Sequence, residues 1–122
     1  MEQKMEKLNR FFEEKITGCE QRAQELKADD RGDEAVFETV RGNVYDVFRT
    51  VLGAALKTGK GDPEAVRRFY TDSLEKIPAG WKAAYENAVA HDDAKRAQTE
   101  RIKLDAVAEI KEYAAQVWEG AE

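Results

Sequence analysis

VFETVRGNVYDVFRTVLGAAL, residues 36–56, sets Val36, Phe37, Val40, Val44, Val47, Phe48, Val51, Leu52, Ala55 and Leu56 on one side of a 3.6-residue wheel. A strand alternates its faces every second residue, so these steps of three and four specify an amphipathic helix. The apolar arc is wide, which predicts contact with two neighbouring helices rather than one. Glu34 to about Thr58 should be helical, with Gly59 as its stop.

The same period recurs on both sides of this segment. Before it, Met1, Met5, Leu8, Phe12, Ile16, Cys19, Ala23 and Leu26 form a bundle-like seam over about Glu2 to Ala28. Asp29-Asp30-Arg31-Gly32-Asp33 should end that helix, with Gly32 as the permissive residue and Asp30 or Asp33 as the next cap. After it, Asp62-Pro63-Glu64 is the clearest helix start in the chain: a capping carboxylate, a proline at the first helical position and an acid at the positive helix end. Val66, Phe69, Tyr70, Ser73, Leu74 and Ile77 continue as an inner face. Pro78 then breaks or kinks the pattern, which resumes through Trp81, Ala84, Tyr85, Ala88 and Val89.

His91-Asp92-Asp93 reads as the last corner. A fourth helix runs to about Glu119 along Thr99, Ile102, Ala106, Ile110, Tyr113, Ala114 and Val117. The expected fold is all-α, an up-down four-helix bundle with its third helix broken or kinked at Pro78, and residues 1–122 form a single domain. The Trp81 and Ile110 stripes stay nearly in phase, so one helix over residues 79–119, covered by a swapped second chain, is the alternative. A turn at residues 91–93 gives four legs of matched length, each roughly 40 Å, and is preferred.

Charged residues make up 37% of the chain, and 25 acids against 20 bases leave a net charge of −5. Both signs mix along every helix, which argues against general attraction to nucleic acid or anionic membranes. The stretch MEQKMEKLNR has no secretory apolar run, and no segment is long enough to span a bilayer, so the expected location is the cytoplasm. Cys19 is the sole cysteine and falls on the apolar seam, where a buried, inert thiol is expected.

No catalytic, metal or cofactor signature is complete. His91 is the only histidine, short of what di-iron bundles or metal phosphohydrolases require. Ser73 lies mid-helix without a nearby base. GAALKTGKG, residues 53–61, has the wrong spacing for a phosphate loop and follows a helix. Asp29, Asp30, Asp33 and Glu34 suit a turn better than a calcium loop, since Arg31 stands where an oxygen donor belongs. Arg67-Arg68 and Lys95, Arg96, Arg101 and Lys103 are accompanied by acids, as on solvated helix faces.

Two groups remain as candidate sites. Phe11 and Trp118 lie at the edges of their stripes and are the expected protein-contact surface. Arg41, Arg96 and Lys103 fall inside apolar arcs, which suggests either ion pairs or a shared anion-binding cleft. The expectation is a non-enzymatic protein acting through contact with a protein partner or as a homodimer. The alternative is a regulatory bundle binding an anion near Arg41 and Lys103.

Overall fold

A computed structural model describes residues 1–120. It is a four-helix bundle: α1 is Glu2–Ala28, α2 Gly32–Gly59, α3 Pro63–Ala90 and α4 Ala94–Glu119. Each leg holds 26 to 28 residues, about 40 Å at the helical rise. Corners at residues 29–31, 60–62 and 91–93 are short and reverse the chain each time. Because α3 ends at Ala90, the continuous 79–119 helix of the swapped alternative is not formed.

Two corners close in the same way. Arg31 N–H donates to Leu26 O and Asp30 N–H to Lys27 O; Asp93 N–H donates to Ala88 O and Asp92 N–H to Val89 O. These are Schellman closures, whose hinge residue adopts the left-handed conformation. Asp30 (φ 57°) and Asp92 (φ 54°) fill it, a place aspartate tolerates better than most residues. Gly32, expected as the permissive residue, is instead the first residue of α2. That helix has no side-chain cap, so the expected capping by Asp30 or Asp33 is not made. Asp62 and Asp93 do cap α3 and α4, accepting from Glu64 N–H and Arg96 N–H at 3.2 Å.

The expected stop at Gly59 is one residue early. Gly59 closes α2 while Lys60 takes the left-handed position (φ 49°). What Gly59 provides is space, since a Cβ there would lie 2.6 Å from Val66 Cγ2 and 2.9 Å from its backbone nitrogen. Its missing side chain lets α3 start close against α2. Further along, α3 continues through Pro78, which is buried, so the expected break does not divide that leg. The proline removes only the amide that would donate to the Leu74 carbonyl.

One core joins all four helices, with Leu8, Phe12, Phe48, Leu52, Val66, Tyr70, Ala106 and Ile110 at its centre. The packing is not square. α1 lies along α2, α2 along α3 and α3 along α4, and α2 and α4 also meet directly across the bundle. Among the described residues the α1 and α3 backbones do not approach within 8 Å, and α1 approaches α4 at few points. α2 therefore has three neighbours rather than the expected two. Tyr45, outside the predicted stripe, is fully buried because α1 lies on its side of α2.

Candidate functional site

Phe11 and Trp118 do not form one exposed aromatic patch. Both are half-buried and packed against the core. Phe11 stacks on Tyr113 with centroids 4.3 Å apart and meets the rings of Phe12 and Tyr45 edge-on. Trp118 sits at the end of the bundle in a small cleft with Met1, Lys4, Pro63, Glu64 and Arg67. Phe11, on α1, meets α4 at Tyr113, five residues and more than a helical turn before Trp118.

The three cations do not share a cleft. Arg41 lines a pocket with Phe37, Glu38, Ile102 and Asp105, which includes neither Arg96 nor Lys103. Its guanidinium is 3.9 Å from both Glu38 and Glu109. Lys103 turns toward α3 instead, bonding Glu100 at 3.2 Å and lying over the Trp81 ring. Arg96 is exposed rather than directed inward. Glu100, missed by the wheel reading, is a buried carboxylate at 8% exposure, held by Lys103. Carboxylates thus occupy the positions an anion would take beside Arg41 and Lys103.

Around Arg41 a polar seam joins α1, α2 and α4. The Tyr45 hydroxyl donates to Glu109 Oε2 at 3.0 Å, and Lys15 pairs with Glu109 Oε1. Burial, and then the Glu109 carboxylate, push the Tyr45 phenol up to about 12. Burial alone would raise Glu109, but hydrogen bonds from Lys15 and Tyr45 and the charges of Lys15 and Arg41 outweigh it and bring its pKa down. Further along, Lys4 Nζ donates to the carbonyls of Val117, Trp118 and Gly120, capping α4. α1 and α4 are thus joined by such side-chain bridges as well as by the Phe11–Tyr113 stack.

None of these groups is arranged as a nucleophile with a base. Cys19 is buried, and burial followed by Glu38 raises its pKa, so the thiol stays protonated. Ser73 Oγ donates to its own helix at Phe69 O, and the His91 ring sits at an exposed corner against Asn87 O. Among the described residues no cluster of three or more His, Cys, Asp or Glu could hold a metal ion, and no helix is long and apolar enough to cross a membrane. A groove of about 740 Å³ beside the α2–α3 corner contains Arg67 and Arg68, but Glu64, Asp72 and Glu75 line it too.

The unusual surface lies on α2. Val47 is 38% exposed and Val36 55% exposed, both expected in the core. Val40 and Val51 beside them are half-buried, and Ala54 and Thr58 are exposed. Steps of four and seven put these residues on one stripe of the helix. α1 packs on the opposite flank, where Gly42 approaches Cys19 and Arg22 pairs with Glu38. The stripe therefore faces outward on the α3 side. From Val36 to Thr58 it holds valine, alanine, threonine and Asn43 at its edge, without a charged side chain. The signal is present in the sequence: ten apolar residues on one helix exceed what its buried face can take, so they divide into an inner and an outer stripe.

No protein-family model, curated protein or solved structure matches the chain.

Proposed function

We propose that this protein works by binding another protein surface through the outer stripe of α2, not by catalysing a reaction. The observation that carries this reading is the stripe itself, an uncharged run of exposed and half-exposed valines in a chain of which 37% is charged. Val44, Phe48, Leu52 and Ala55 already fill the core side of the same helix, which leaves Val36 and Val47 outside it. Apolar side chains that line up on a surface gain by being covered, and the central ones dominate a contact. The alternative of an anion site near Arg41 and Lys103 has less support, since Glu38, Glu109 and Glu100 neutralise those cations.

As part of the same proposal we place the protein in the cytoplasm, where a chain with one buried thiol needs no oxidising compartment. The test uses the double variant Val36→Asp/Val47→Asp. It should keep the helical signal and cooperative melting of the parent while losing the parent's association, whether with itself or with another protein. Association unchanged in the folded variant would overturn the reading.

A further inference from the structure

We infer that the occupant of this stripe is α2 of a second copy of the chain, lying antiparallel about a twofold axis beside Val47. The inference rests on the contact reading above and names the partner. Its support is the charge at the two ends of the stripe. Asp33 stands at its start and Lys57 and Lys60 at its end. Among the described residues none of the three has an ion-pair partner within the chain.

An antiparallel second copy brings Asp33 of each chain beside Lys60 of the other, twice by symmetry. It also sets the positive start of each α2 against the negative end of the other. A parallel copy would place Asp33 against Asp33 and Lys60 against Lys60, which repel. Charge thus selects one direction from two that the valines alone would accept.

The same pairing fixes the register. With Asp33 opposite Lys60 of the second copy, the axis falls between Asp46 and Val47. The axis is half a residue from Val47, so Val47 lies beside its own counterpart; Asn43 is level with Thr50, and Ala54 and Thr58 fall within one residue's rise, about 1.5 Å, of the levels of Val40 and Val36. These contacts are apolar or can hydrogen-bond, and Asp46, level with Val47 of the other copy, lies about 100° round the helix from the stripe and pairs with Arg49. The stripe is about 33 Å long at the helical rise, and valine is stiff enough at χ1 to pack well between two helices.

The test places single cysteines in the full chain and measures disulfide-linked dimer under mild oxidation by copper–phenanthroline. Parallel light scattering follows the parent's mass against concentration. The parent should associate to twice its chain mass yet stay unlinked, because its only thiol, Cys19, is buried. Val47→Cys should link to itself. Val36→Cys alone should not, but should link when mixed with Thr58→Cys. Asp33→Lys should weaken association roughly threefold or more, and Asp33→Lys/Lys60→Asp should restore it.

A parent that is monomeric at every concentration, with Val47→Cys unlinked, would overturn the second copy as occupant. If Val36→Asp/Val47→Asp in that case still lost a contact with a different protein, the contact reading would survive without the dimer. Self-linking by Val36→Cys would overturn the antiparallel direction. Failure of the charge exchange to restore association would overturn the register.

Discussion

The α1–α4 seam and the outer stripe of α2 are long surfaces of similar helices, but they are finished in opposite ways. On the seam, backbones approach at few points and charged groups bridge them: Lys15 and Arg41 to Glu109, Tyr45 to Glu109, and Lys4 to the last carbonyls of α4. On the stripe there is no charge to bridge, and valines stand exposed or half-exposed. The charged groups of the seam, Lys15, Arg41 and Glu109, find their partners inside the chain. The stripe's apolar groups do not, and Asp33 at one end and Lys57 and Lys60 at the other have no ion-pair partner among the described residues. A surface that satisfies itself closes a fold; one that does not is available for a second fold.

The sharpest way to break the comparison uses neighbouring residues on one helix. Phe48 is fully buried and Val47 is 38% exposed. Phe48→Asp would place an unpaired charge in the core and should cost about 4 kcal/mol or more, enough to abolish cooperative melting. Val47→Asp should leave the melting of the isolated chain within about 0.5 kcal/mol. Thermal melts at concentrations where association is absent compare the two. Equal losses would place both residues in one core and erase the distinction.

Glu109 tests the seam. Glu109→Leu would leave the buried Tyr45 hydroxyl without its acceptor and Lys15 and Arg41 without their shared partner, a loss of about 1–2 kcal/mol after allowing for partial exposure. Denaturant titration measures it. The pH dependence has a definite sign. Glu109 is lowered in the fold, so its contribution is fully present above an unfolded value of about 4.3 and fades as pH falls through the folded pKa. Glu109→Gln should flatten that part of the acid limb. Tyr45 behaves oppositely: raised to about 12, it contributes fully below about pH 10 and loses that contribution as pH rises through about 12. Ultraviolet titration of the parent against Tyr45→Phe should show the difference as a phenol that ionises above the ordinary tyrosine range.

Lys4→Met should have the smallest effect of this set, about 0.5–1 kcal/mol, by uncapping the C-terminal end of α4. Faster amide exchange confined to the last turn of α4 checks it. Exchange spreading into α1 would mean that the seam depends on this lysine more than on Glu109.

The helices are legible in the sequence because each carries its own punctuation. Pro63 after a capping Asp62, and the apolar steps from Met5 to Ala23, determine start and face without knowledge of the neighbours. What lies across a face is not legible. The wheel gives an angle, while burial depends on how many helices stand around that angle. Tyr45 is buried because α1 stands beside it, and Val36 is exposed because nothing does. The same limit misplaces the candidate sites. Arg41 and Lys103 each fall within an apolar arc, but they turn toward different neighbours and different carboxylates. Phe11 sits at the edge of its stripe, and the Tyr113 ring across the seam covers it. Pro78 likewise signals a break or a kink, and α3 runs through it as one helical leg.

Sedimentation equilibrium of the parent beside Val47→Asp tests the division of α2 most directly, with circular dichroism of both confirming the fold. The parent is expected to reach twice its chain mass with rising concentration. Val47→Asp should remain a folded monomer, its association weakened by roughly a hundredfold or more as two like charges meet at the axis. A parent and variant of equal mass at every concentration would contradict the outer stripe as the contact between copies, and an unfolded variant would return Val47 to the core.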